Sequence, residues 1–301
     1  MTTRLAHGIA SGVSFLFAIL LVIPASAQSP ADKEQLRRGE YIFHAADCYS
    51  CHTDTEHHGP ELAGGAPIKT PVGTFYPPNI TPDARFGIGG WSDADFIRAL
   101  REGVSPDGHN FYPVFPYGSF TKMSDRDILD LKAYIFSLPA VSAPSHPHEL
   151  PFYLRWRLLV SGWKILNFVE GPLKPDPTKD PKWNRGRYLA EALAHCSECH
   201  SPRTITMGID RSAAYSGNPS GPDGKTIPNI TPDDSGIGSW SESDVAYALK
   251  TGATPDGDVL GSFMGDVIEH GTRYLTDDDR AAIAHYIKSV PPIHRVLRTA
   301  D

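Results

Sequence analysis

CYSCH, residues 48–52, and CSECH, residues 196–200, decide how this chain is read. Each places two cysteines two residues apart with a histidine directly behind the second. The chain has four cysteines in 301 residues, Cys48, Cys51, Cys196 and Cys199, and the two motifs use them all. Such a motif can serve a zinc site, a redox disulfide or a haem anchor. Zinc asks for four ligands in a tetrahedron, and a cluster as cramped as Cys48, Cys51 and His52 makes a poor one. A redox pair needs no histidine at the next position, still less twice. Haem attachment uses every letter. The thiols add to the porphyrin vinyl groups as thioethers, and the histidine, His52 or His200, lies beneath the iron as its fifth ligand. The sequence therefore predicts two covalently bound haem c groups.

The compartment agrees. Residues 1–27 read as a signal peptide: Arg4 gives a positive start, and VSFLFAILLVIP (13–24) is an apolar run too short for a comfortable membrane span. Ala25-Ser26-Ala27 is a small-residue cleavage motif, so the mature chain is expected to begin at Gln28. The alternative, an uncleaved anchor helix, fits Pro24 and this motif less well. A periplasmic location follows. In that oxidising space four cysteines would ordinarily pair as disulfides; here both motifs claim them. The net charge of −7 argues against nucleic acid as a partner, because a phosphate backbone calls for a basic face. No later run approaches ~20 uninterrupted apolar residues, so no spanning helix is expected in the mature protein.

The halves are copies. RGEYIFHAADCYSCH (38–52) answers RGRYLAEALAHCSECH (185–200). PNITPDARFGIGGWSDADFIRALREG (78–103) answers PNITPDDSGIGSWSESDVAYALKTG (228–252), and SDRDILDLKAYIFSLP (124–139) answers TDDDRAAIAHYIKSVP (276–291). The offset is 148 at Cys48/Cys196, 150 at Asn79/Asn229, 149 at Trp91/Trp240 and 152 at Tyr134/Tyr286. A near-constant offset over so long a stretch means a duplicated domain rather than a solenoid. The expected division is a first haem c domain at 28–145, a linker with an amphipathic helix at 146–180, and a second haem c domain at 181–301.

Each half reads as mostly α. Residues 32–46 and 181–195 are expected to form helices leading into the two motifs. Ser92 with Asp95 and Ser241 with Asp244 are helix starts, with stops near Gly103 and Gly252. Ser124/Asp127 and Thr276/Asp279 start a last helix in each half, with Pro139 and Pro291 just past its end. No strand alternation is visible. A haem would supply much of the core that a domain of ~100 residues struggles to build alone.

Helix, CxxCH, long loops and a terminal helix carrying an aromatic resemble class I cytochrome c, twice over. The runs PNITPD, GIGxWS, FYPVFPYGSFTKMSDRDI, AHCSECHSPR and YLTDDDRAAIAHYIKS are similar to those in the cytochrome c subunits of bacterial membrane-associated alcohol, gluconate and aldehyde dehydrogenases. The likeness covers about 35–295, with two haem motifs where the best-known members have three. It implies an electron-transfer protein rather than an enzyme. A dehydrogenase subunit would feed it, and a quinone, another cytochrome or an oxidase of the respiratory chain would drain it.

A methionine thioether is the usual sixth ligand of electron-transfer c haems. Of four methionines, Met1 leaves with the leader and Met207 stands only seven residues after His200, which marks it as a packing or surface residue. Met123 and Met264, one per half before the final helix, are the candidate ligands. They are not in register: Met123 aligns with Leu275, and the counterpart of Met264 falls near Phe115, where many relatives carry methionine. His109 is the alternative ligand in the first half.

Asn79, Thr81, Trp91 and their copies Asn229, Thr231 and Trp240 are candidate donors to haem propionates, or simply turn and packing residues. Pro60 and Pro202 are candidates to offer a carbonyl to the ligating histidines. The sequons at Asn79 and Asn229 read as coincidence, and His57, His58, His146 and His148 as exposed loop residues. In FYLRWRLLVSGWKILNFV (152–169), Arg157, Ser161, Lys164 and Asn167 form a thin polar stripe on an otherwise apolar helix. That helix is either buried between the two domains or a docking surface for a partner subunit or the membrane interface. Two function classes follow: an electron carrier with both irons six-coordinate, or a dihaem peroxidase with one open iron. A methionine in each half favours the carrier.

Overall fold

The computed structural model describes Thr2 and residues 32–297, and residues 32–297 belong to one compact unit. Thr2 apart, the stretch read as a signal peptide with its cleavage motif falls outside the described residues.

In the first half, α1 (Lys33–Ala45) is capped by Asp32, whose carboxylate accepts from Gln35 N–H at 2.6 Å. It runs into α2 (Cys48–His52). A short antiparallel pair follows, β1 (Ile68–Thr70) with β2 (Gly73–Phe75), its turn closed by the Thr70 hydroxyl on the Gly73 carbonyl. The sequence shows no strand alternation here because three residues a side are too few to carry one. Then come α3 (Asp93–Glu102), α4 (Tyr117–Phe120) and α5 (Asp125–Ser137). The linker contributes α6 (Arg157–Asn167). The second half repeats the plan with α7 (Pro181–Tyr188), α8 (Cys196–His200), α9 (Glu242–Thr251), α10 (Ser262–His270) and α11 (Asp277–Ser289). Where a continuous helix was expected to residue 195, α7 passes into a π-helical turn at Leu189–Leu193.

The caps lie where the sequence puts them. Ser92 and Ser241 form complete capping boxes with Asp95 and Asp244. Gly103 and Gly252 end those helices at φ of 65° and 78°, the left-handed region glycine enters most cheaply.

The first and last helices of each half cross at a glycine. A Cβ on Gly39 would lie 2.0 Å from the Asp130 carbonyl oxygen in α5, and one on Gly186 would lie 1.9 Å from that of Ala282 in α11. No side chain fits such an approach, which explains RGEY and RGRY as a repeated pattern. Beside the crossings Arg38 binds Asp130 at 2.6 Å, and Phe43 packs on Tyr134 and Trp183 on Tyr286.

The halves meet through exchanged tyrosines. Tyr41 of α1 donates to Asp279 at 2.5 Å and accepts from Thr276 N–H at the start of α11. Tyr188 of α7 donates to Asp127 and accepts from Ser124 N–H at the start of α5. Each half thus caps the other's final helix, an approximate twofold relation built from duplicated residues. The next pairs along the interface have diverged in chemistry. His44 stacks on Tyr274 at 3.8 Å, whereas Glu191 and Lys122, at the corresponding positions, form an ion pair at 3.1 Å. A single buried apolar cluster runs through both halves.

Candidate haem-attachment sites

In a helical turn, residues three and four apart share a face. Cys48, Cys51 and His52 in α2, like Cys196, Cys199 and His200 in α8, therefore point the same way. The residue before each motif sets that direction. Asp47 and His195 both adopt left-handed backbone, φ 49° and 39°, and break α1 and the π turn away from the attachment helices.

No two of the four cysteines form a disulfide, and desolvation by the surrounding protein, at the partly exposed Cys51 as well, pushes the thiols upward: to about 12 for Cys51 and Cys196, about 11 for Cys199, and higher still for Cys48. A redox dithiol needs the opposite, a thiolate stabilised by positive neighbours. These are protonated thiols at neutral pH, suited to addition across a vinyl group.

The histidines are held for metal binding. His52 Nδ1 donates to the Pro78 carbonyl at 2.7 Å and His200 Nδ1 to the Pro228 carbonyl at 2.9 Å. Burial lowers both pKa values, so each ring is neutral. A neutral imidazole with its proton on Nδ1 presents the Nε2 lone pair to a metal. Proline is the right residue type, but the prolines are Pro78 and Pro228, not Pro60 and Pro202. The missed signal was the repeat: a proline precedes Asn79 and Asn229 in both copies.

Of the two readings of those asparagines, turn and packing is the one the structure supports. Asn79 is 2% exposed; its Oδ1 accepts from Thr81 N–H and hydroxyl, and its Nδ2 donates to the Val141 and Ala143 carbonyls. Asn229 accepts from Thr231 in the same way and donates to the Ile293 carbonyl and the Ser235 hydroxyl. Both amides are spent tying the loop behind the histidine to the segment that follows the last helix. They are neither propionate donors nor accessible to a glycan. Trp91 and Trp240 pack against the core.

Met123 is fully buried in the core at the start of α5, its carbonyl held by the buried Arg101. Met264 is half-buried in the first turn of α10. The two remain out of register; Phe115, near the counterpart of Met264, packs on Phe111 and Phe120. His109 sits on an exposed turn beside Asp107, and Met207 is on the surface. His57, His58 and His146 are exposed, but His148 is half-buried against Phe75 and Tyr112 and accepts from Tyr76 N–H.

The two motifs face the interface. Tyr49 of the first motif packs on His270, and Ser50 donates to the Asp266 carbonyl, both in α10 of the second half. His195 packs edge-on against Phe120 at 5.6 Å, and the Ser119 hydroxyl donates to Glu198 of the second motif. Asp47 itself is 8% exposed, and burial pushes its carboxyl up to about 7.

Paired thiols and a carbonyl-locked neutral imidazole, twice in one α-helical unit, define a tandem covalent-haem protein. The chain belongs to the cytochrome c family, whose profile matches residues 36–139 and again 184–291, and it carries two haem c groups. It is 44% identical over 265 residues to "Diheme cytochrome c-type" of Cereibacter sphaeroides, covering 85% of this chain and 86% of that one. It is 43% identical over 271 residues to the fructose dehydrogenase cytochrome subunit of Gluconobacter japonicus, covering 89% of this chain and 54% of the relative. It is 38% identical over 279 residues to the gluconate 2-dehydrogenase cytochrome c subunit of Pantoea cypripedii, covering 90% of this chain and 63% of the relative. The chain thus spans little more than half the length of these dehydrogenase subunits.

Proposed function

We propose that this is a periplasmic dihaem electron carrier, serving as the cytochrome partner of a dehydrogenase and passing electrons to a quinone, another cytochrome or an oxidase. The residues proposed to hold the cofactors are Cys48, Cys51 and His52 for one haem and Cys196, Cys199 and His200 for the other, with Met123 and Met264 as sixth ligands. Bound haem supplies a one-electron ferric/ferrous couple. The chain's part is to fix both groups, keep the imidazoles neutral and oriented, and hold the two sites together.

The observation that carries this reading is that each attachment motif packs against the other half, Tyr49 on His270 and Glu198 against Ser119, across an interface locked by Tyr41 and Tyr188. Electron tunnelling falls steeply with distance, so two attachment motifs at one interface favour a relay. The dehydrogenase partner is supported by the relatives' names, and the periplasm by the leader motif. Reductive titration of the exported protein should take up two electrons per chain, and the reduced form should bind neither carbon monoxide nor peroxide. Rapid binding of either ligand by one haem would overturn the carrier in favour of a peroxidase-type site.

A further inference from the structure

The backbone that leads into α5 is tied down from three sides. Arg101, in the last turn of α3, is buried, and its guanidinium donates to the Thr121 carbonyl, to the Met123 carbonyl at 2.9 Å and to the Asp125 carboxylate. Between those two carbonyls, that of Lys122 accepts from Leu173 N–H at 3.0 Å, and the Thr121 hydroxyl accepts from Gly171 N–H at 2.9 Å, both in the linker. The Ser124 N–H donates to the Tyr188 hydroxyl of α7 at 3.0 Å. Thr121 and Met123 are fully buried.

The second half keeps the guanidinium grip and changes its source. Arg280, also buried, donates to the Thr272 and Arg273 carbonyls, each at 3.1 Å, to the Leu275 carbonyl and to Asp277. In the repeat Leu275 stands for Met123 and Asp277 for Asp125. Arg280, however, lies on α11, where α5 has Ile128. The position of Arg101 is taken by Lys250, which reaches Asp277 at 3.0 Å. The same backbone carbonyl is thus held in both halves, by guanidinium groups on different helices. What differs is the residue being held. In the first half it is the candidate sixth ligand. In the second it is Leu275, while Met264 stands earlier in the chain, half-buried in the first turn of α10.

A methionine has several freely rotating bonds, and a ligand fixed in place beforehand loses less freedom on binding. Pinning the backbone around Met123 therefore favours its sulfur over competing ligands. We propose that Arg101 is a positioning residue for the first haem: by holding the carbonyls on both sides of Lys122 it fixes the backbone from which Met123 reaches the iron. The inference rests on the reading of Met123 as the sixth ligand. Arg280 has no such role, because the residue it pins is not a ligand.

The test uses the exported holoprotein in its ferric state. It follows the weak red charge-transfer absorption that a thioether ligand gives, and the affinity for added imidazole, which competes with that ligand. Met123→Leu defines the share of both signals that belongs to the first haem. Arg101→Lys keeps the charge but lacks the planar fork that spans two carbonyls. It should lose much of that share of the absorption and bind imidazole about tenfold more tightly, the factor that ~1.4 kcal/mol of lost restraint gives. Asp125→Ala, at a side chain 72% exposed, frees one end of the guanidinium from outside the core and should move both signals the same way by a smaller step. Arg280→Lys should lower the melting temperature and leave the second haem's share unchanged. Parent-like absorption and imidazole affinity in Arg101→Lys would make Arg101 a structural residue only and overturn the proposal. If that variant fails to hold haem, parent-like signals in Asp125→Ala overturn it alone. Equal loosening of the second haem by Arg280→Lys would assign the effect to stability and overturn it too. If Met123→Leu itself leaves both signals unchanged, the ligand reading fails and the proposal falls with it.

Discussion

Replacing Asn79 by alanine tests how the first histidine is held. The carboxamide makes four hydrogen bonds, two accepted from Thr81 and two donated to the Val141 and Ala143 carbonyls, all between 2.7 and 2.9 Å. After truncation the Val141 carbonyl keeps the Ala143 N–H and the Thr81 hydroxyl. The Thr81 N–H, in a residue 1% exposed, keeps nothing. A buried donor left unpaired costs about 1–3 kcal/mol. The half-buried Ala143 carbonyl loses a partner worth about 1 kcal/mol. The expected loss is then about 3 kcal/mol, or roughly 6–12 °C in Tm for a chain of this size. Urea denaturation of the holoprotein, with Asn229→Ala as the matched control, measures it. Because the same loop carries the Pro78 carbonyl that orients His52, the potential of the first haem should shift while the second holds. A loss below about 1 kcal/mol with both potentials unchanged would refute the clamp, since it would mean that Thr81 and the tail segment find other partners at no cost.

Met123→His and Met264→His should each lower the potential of one haem and spare the other, because imidazole favours ferric iron relative to thioether; potentiometry with Met123→Leu leaving both spectra unchanged would remove Met123 as a ligand. Asp47 makes the protein pH-sensitive. Its carboxyl is raised from 3.8 to about 7 in the folded state, first by burial, with Asp266 adding to it and the Ser50 hydrogen bonds opposing. The folded chain thus holds a proton that the unfolded chain releases, so stability should fall as pH rises from about 4 to about 7 and level off above. In the folded chain the proton leaves only around pH 7 and places a negative charge beside the first attachment motif, so the potential of the first haem should drop around that pH. Asp47→Asn should flatten both profiles, and an unchanged slope would assign them to another group.

The sequence alone determined the chemistry and the domain plan. Two CxxCH motifs that consume every cysteine, a near-constant offset between the halves, and Ser-x-x-Asp starts matched with glycine stops are local signals. Local signals are legible because a helical turn and its caps are set by residues three or four apart. The short hairpin escaped notice for the same reason in reverse, since three-residue strands carry no period.

What the tertiary structure decided are the relations between distant segments. The sequence points to Pro60 for the carbonyl on His52, but it is Pro78 that supplies it, on a loop that Asn79 ties to residues 141–143. Nothing local to Tyr41 or Tyr188 shows that each caps the other half's last helix, because the partners lie 235 and 64 residues away. The orientation of α6 was undetermined for a physical reason. An amphipathic pattern says that a helix has two faces, but which one turns inward depends on what waits there, and here Asn110 and the Glu102 carbonyl waited with hydrogen bonds for the polar stripe. Periodicity reports the contrast between faces; only the partner surface assigns its sign.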